Sequence, residues 1–223
     1  MEKLISLLKR KFSSKFWITL LILFLFYAAW TVRGWYGYLK VPVDPITQAN
    51  WFLTLTKPLV WIPFTIILTN WWFRLHIRQS LGLKFNLKIF LWSLLAIAVP
   101  LIYIVLGLVF EPKSYHFTSR FTPGYFYTMI FSAAILEEFL FRGFIQTLLS
   151  KFFVNWLAIL LQAILFSVIH FCWWVWAGVF SWDGALFIAF LGGFWGYIRQ
   201  KSESIYPGIL SHAVYDLVLG MFI

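Results

Sequence analysis

The sequence predicts an all-α, polytopic transmembrane helix bundle of about seven spans, with an eighth or re-entrant helix as the alternative. Three observations carry that prediction. Of the 223 residues, 62% are hydrophobic and the mean hydropathy is +0.84, against about 45–50% apolar residues in an ordinary soluble domain. Only 12% are charged, and these fall in short runs between long apolar stretches. The 14 tryptophans and an aromatic share of 22% put many rings near the ends of those stretches, as interfacial belts require. One bundle suits this length, so 1–223 is read as a single membrane-embedded domain.

The elements follow in order. Met1 to Lys15 is basic, with Lys3, Lys9, Arg10, Lys11 and Lys15, and precedes the apolar run Phe16 to Val32. That pattern also fits a signal peptide, with Ala28-Ala29 supplying small residues. The run of about 17 residues exceeds the roughly 7–15 of a signal h-region, so a retained signal-anchor helix is expected. Gly34, Gly37, Pro42 and Pro45 mark a loop before the second span, Trp51 to Phe73. Pro58 and Pro63 predict a late or kinked start to that span. Residues 74–88 carry Arg74, Arg78, Lys84 and Lys88 and suit an interfacial helix. The third span is Ile89 to Phe110, followed by a polar loop with Pro112. The fourth, Phe121 to Leu149, closes at Ser150-Lys151, and the fifth runs from Phe152 to about Trp176. Asp183-Gly184 marks the turn into the sixth, Ala185 to Ile198. Gly192 and Gly196 there have the GxxxG spacing that lets helix backbones approach. Polar residues Arg199 to Ser204 lead to the seventh, Ile205 to Ile223.

The formal net charge is +10. Spread over loops between spans, it points to orientation against an anionic cytoplasmic leaflet rather than to nucleic acid. With the N-terminus inside, twelve lysines and arginines fall in cytoplasmic segments and four, Arg33, Lys40, Lys113 and Arg120, outside. Lys57 and Arg142 lie within spans. The expected location is a bacterial plasma membrane, multi-pass, N-terminus cytoplasmic and C-terminus out. One cysteine, Cys172, excludes an intramolecular disulfide framework and a cysteine-rich metal site.

One stretch breaks the apolar pattern. Ile135 to Gly143 reads ILEEFLFRG, placing Glu137, Glu138 and Arg142 inside the fourth span. Such groups cost roughly 3 kcal/mol each on insertion scales and persist mainly where they face a polar cavity. Glu138 and Arg142, four apart, share a face and can pair. Glu137 lies about 100° around the helix, so it is expected to point into the bundle. A purely structural salt-bridge cluster is the competing reading. In the fifth span Phe166 and His170 share a face; a lone histidine there is more often a core residue than a working one. In the seventh, His212 and Asp216 are four apart, and Asp216 can fix an imidazole tautomer by accepting a hydrogen bond. His76 and His116 fall in loops, are expected to face solvent and are assigned no role.

Together the odds change. Glu137, His170, His212 and Asp216 come from three late spans, while the first three spans hold almost no embedded ionisable group. Glutamate and histidine converging in a low-dielectric cavity form a proton-transfer or metal-binding constellation. Depth is a strain on this picture: at 1.5 Å per residue, Glu137 lies roughly 18 Å, His212 about 10 Å and His170 about 25 Å from the cytoplasmic end of its span. Tilt, a start of span five near Trp156, or a sunken 199–206 loop would reconcile them.

EExxxR at Glu137 to Arg142, FxxxH at Phe166 to His170 and HxxxD at His212 to Asp216 resemble the three motifs of the CPBP family. These intramembrane endopeptidases include the Ras-converting CAAX protease and bacterial Abi proteins. The stretch GGFWGYIRQKSESIYPGILSH resembles the family's Gly-rich approach to its third motif. The resemblance covers roughly residues 120–220, a CPBP-like catalytic core. It implies a water activated by Glu137 attacking a peptide carbonyl, with His170 orienting the water. His212, with Asp216 beside it, would donate to the oxyanion. Glu138, Arg142 and Phe166 would support them. Asp216 departs from the asparagine frequent in CAAX proteases, and an anion there would repel an oxyanion.

The implied partners are the lipid bilayer and a membrane-associated peptide or protein substrate. No cofactor is expected. One alternative is the same hydrolysis with zinc on Glu137, His170 and His212. Another is a non-proteolytic bacteriocin-immunity or scaffold protein. A third is a proton-coupled transporter, against which the absence of a visible sequence repeat argues mildly.

Overall fold

The computed structural model describes residues 14–42, 50–110 and 122–220. The basic residues Lys3 to Lys11, Pro45, the loop with Pro112, Lys113, His116 and Arg120, and residues 221–223 lie outside them. The described residues form eight helices and their connections, with no strand among them. These are α1 (Ser14–Lys40), α2 (Trp51–Trp72), α3 (Ile77–Ser80), α4 (Lys88–Phe110), α5 (residues 123–149), α6 (Asn155–Ala177), α7 (Trp182–Ser202) and α8 (Tyr206–Gly220). All but α3 coincide with a predicted span, and α3 lies in the basic 74–88 segment read as interfacial. Four helices, α1, α2, α4 and α6, are long and apolar enough to cross a membrane. The others differ for visible reasons. α5 and α7 carry charges, and α8 has 15 described residues.

Local chemistry sets the boundaries. Asn50 caps α2: its side-chain oxygen accepts from the Leu53 amide at 3.1 Å, and its amide donates to the Gly37 carbonyl at 2.7 Å. α2 therefore begins at Trp51, ahead of Pro58 and Pro63, and the late start expected from those prolines does not occur. Thr122 caps α5 through the Tyr125 amide at 3.1 Å, with Pro123 at the first helical position. α6 ends on Gly178 at φ 69°, a left-handed position suited to glycine. Asp183-Gly184 falls inside the first turn of α7 rather than in a turn before it, because Ser181 caps the helix through the Gly184 amide at 3.1 Å.

Packing is inverted relative to a soluble protein. α4 turns Phe90, Leu91, Val105 and Val109 outward, each more than half exposed, while Gln146, Gln162, Ser211 and His212 are buried. Trp71, Trp156 and Trp182 are exposed at helix ends, as interfacial rings should be. α1 is part of the core: Leu23 and Phe26 are buried, and the Tyr27 hydroxyl donates to the Leu165 carbonyl at 3.0 Å. The α7 glycines do admit close approach. The Gly196 carbonyl accepts from Gln146 at 2.9 Å, and the Gly192 carbonyl from both Arg142 and Gln162 at 3.3 Å. A Cβ at Gly192 would stand 3.0 Å from the Phe166 ring.

Candidate active site

α5 is not a uniform α-helix. π-helical stretches, Tyr127–Ile135 and Phe139–Ile145, flank the single α-turn Leu136–Glu138 that carries both glutamates. Such wide turns concentrate at functional sites because they re-aim side chains at little cost. Here they leave Glu138 and Arg142 as an ion pair at 2.9 Å, with both side chains fully buried. The Arg142 guanidinium also lies 4.1 Å from the centre of the Phe166 ring and 5.1 Å from that of Trp195.

Glu137, about 100° further round the helix, points into the bundle as expected and meets both histidines. Its Oε2 lies 3.7 Å from His170 Nε2 and 3.9 Å from His212 Nε2. His170 Nδ1 is 2.8 Å from the Phe166 carbonyl, which can only accept, so that nitrogen carries hydrogen. His212 Nδ1 is 3.2 Å from Glu138 Oε1, the oxygen paired with Arg142, and likewise donates. Both rings thus point Nε2 at Glu137. His212 is clamped further: it stacks on Trp195 at 4.4 Å, and the Trp195 indole donates to Ser211 at 2.8 Å.

Asp216 Oδ2 stands 3.5 Å from His212 Nε2, on the Glu137 side of the ring. The contact that fixes the tautomer comes from Glu138, not Asp216. α6 starts at Asn155, close to the later start near Trp156, which shortens the distance from that end to His170 by about 4.5 Å. Ser202 at the end of α7 and Ser204 after it are buried.

The sequence alone gives Lys57 no role and leaves the early spans nearly empty of embedded charge. In the structure Lys57 Nζ lies 2.5 Å from Glu137 Oε1 and over the Trp61 ring at 4.6 Å. An isolated ammonium six residues into an apolar span was the available signal. Arg33, on α1, donates to Thr56 at 2.8 Å and to the Leu53 carbonyl, and stacks on Trp30 at 3.8 Å. Lys57 and Arg33 line a cavity of about 340 Å³ that ends on Glu137 and His170. His76 is exposed, as expected of a loop residue. Among the described residues no three His, Cys, Asp or Glu side chains are arranged to hold a metal ion.

No curated protein and no solved structure matches the chain. Residues 119–218 match the family described as type II CAAX prenyl endopeptidase Rce1-like. The match holds every motif residue from Glu137 to Asp216, while Lys57 and Arg33 fall outside it. The region that carries both glutamates, both histidines and Asp216 is therefore similar to the Rce1-like CAAX protease family.

Proposed function

We propose that this protein is a seven-span intramembrane endopeptidase that hydrolyses a peptide bond of a membrane-associated substrate with a water activated by Glu137. The observation that carries the reading is the convergence of Glu137 Oε2 with the Nε2 atoms of His170 and His212 at 3.7 and 3.9 Å, beside a cavity lined by Glu137 and His170. These separations are longer than direct hydrogen bonds, and Glu137 Oε2 makes none, so a water admitted from the cavity to that oxygen would meet all three atoms.

Lys57 occupies Glu137 Oε1, so Oε2 is the oxygen left to take a proton. His170 Nε2 accepts the second hydrogen of the water and aims its lone pair at the scissile carbonyl. As the new C–O bond forms, the proton passes to Glu137. His212, as an imidazolium with Nδ1–H on Glu138, donates its Nε2–H to the oxyanion, with Asp216 holding that N–H as a positioning residue. Collapse breaks the C–N bond, and Glu137 returns the proton to the departing amine. Glu138 and Arg142 act through His212 rather than on substrate. Residues 120–220 form the catalytic core within one domain, and the reaction needs no cofactor.

The test is cleavage of a panel of fluorogenic membrane-associated peptides by the purified protein. Wild type, Glu137→Ala and His170→Ala are compared with and without a chelator. Activity lost in both variants and resistant to chelation is expected. Loss on chelation would move the mechanism to zinc held by Glu137, His170 and His212. Cleavage that survives loss of Glu137 would overturn the reading and favour an immunity or scaffold role.

A further inference from the structure

The cavity that ends on Glu137 lies wholly on one side of it along the bundle. On α1 it is walled by Trp30 and Arg33, and on α2 by residues from Leu53 to Trp61. On α5 the wall runs from Thr128 to Ala133 and stops at Glu137; on α6 it is Ile169 and His170. Each set lies in the half of its helix nearest the α1–α2 connection. On the other side of Glu137 the bundle is closed. Leu140, Phe141, Phe144 and Ile145 are 0–2% exposed, and Phe144 packs on Phe64 and Phe73. Leu81, in the connection after α3, is 0% exposed beneath them.

The two ends also differ in charge. The closed end gathers Lys15, Arg74, Arg78, Lys84, Lys88, Lys151, Arg199 and Lys201, cross-tied by the Lys84–Glu203 pair and by Arg199 donating to the Ser80 carbonyl at 3.2 Å. Among the described residues the cavity end holds Arg33 and Lys40 and the wall itself Lys57, paired with Glu137, with Asp183 at the start of α7. Cations in short connections mark the cytoplasmic face of a membrane protein.

We infer that the Glu137 centre is open to the extracytoplasmic face of the membrane and sealed from the cytoplasm. Its substrate is then a membrane-associated peptide segment presented from the exported side. The substrate half of this inference rests on the peptidase reading; the sidedness does not. A CAAX-type tail lying in the cytoplasm would meet the packed layer of Phe141, Phe144 and Leu81 before it met Glu137.

The experiment is thiol labelling in a Cys172→Ser background, with a membrane-impermeant maleimide on right-side-out spheroplasts and on inverted vesicles. Leu53→Cys and Thr128→Cys report the cavity wall, and Arg78→Cys reports the cationic end. The expected result is wall labelling in spheroplasts only and Arg78→Cys labelling in inverted vesicles only. The reverse pattern, or wall positions silent from both sides, overturns the inference. An impermeant peptide substrate should likewise be cleaved only by right-side-out membranes. Labelling needs no catalysis, so an inactive protein with the expected pattern would fail the peptidase reading and leave the sidedness standing.

Discussion

The two halves of this bundle contribute to one site in different ways. α5 to α8 carry the groups proposed to react, in a frame where Glu138, Arg142, His212, Trp195 and the Gly192 carbonyl contact one another. α1 and α2 supply a wall, with Lys57 and Arg33 projecting into a cavity and fewer partners behind them. A change in the first region should therefore cost fold and activity together. A change in the second should cost activity while the fold survives.

Arg142→Leu should break that comparison most severely. It strands the fully buried Glu138 carboxylate, and removing one partner of a buried pair costs about 3–5 kcal/mol. The expected outcome is a steep fall in Tm and in detergent-stable yield, read by a thermal shift on purified protein. Gly208→Ala tests the same frame from α8. A Cβ there would stand 2.6 Å from Glu138 Oε2, well inside contact distance. Overpacking of this kind costs about 1–3 kcal/mol, so Tm should drop by several degrees with cleavage reduced in parallel.

Lys57→Met sharpens the contrast from the other side. Glu137 keeps both histidines but loses the ammonium that holds Oε1, so kcat should fall roughly 100-fold, the low end of a general-base effect. KM should barely move, Tm should fall less than in Arg142→Leu because Glu137 lines a cavity, and Lys57→Arg should restore part of kcat. Equal losses in Tm and kcat would show that the α2 wall is structural after all. The smallest effect belongs to Lys84→Ala at the cationic end. Its pair with Glu203 is exposed on both sides and 3.1 Å long. The hydrogen bond from Lys84 holds the Glu203 carboxyl below its ordinary range. Its contribution is present at neutral pH and fades as the pH drops through that lowered value. Melting curves of Lys84→Ala and wild type should superimpose at pH 7 within error and remain so at pH 4.

The convergence of the groups proposed to react was legible because ionisable residues in apolar runs persist mainly where they face a polar cavity. Glu137, His170, His212 and Asp216 are brought together as their spacing suggested, and the Glu138–Arg142 pair follows from helical geometry. Three features were not legible. The π-helical stretches of α5 depend on how its neighbours pack, and no residue in YTMIFSAAI or FLFRGFI announces them. Glu138 holding His212 Nδ1 is a contact 74 residues apart in sequence, so it displaced the local i,i+4 partner Asp216 that periodicity offered. Lys57 was visible as a lone charge, but nothing in its own span showed that α2 would face α5. Eighty residues separate it from Glu137, and only the assembled bundle joins them.

The most direct test is the single-turnover cleavage rate of Glu137→Gln, measured beside its Tm on the peptide that wild type cleaves fastest. The variant keeps the shape and the Lys57 contact but cannot take a proton, so the rate should fall at least about 100-fold with Tm unchanged. A rate within a few fold of wild type, from protein that melts at the wild-type temperature, would contradict a Glu137-activated water.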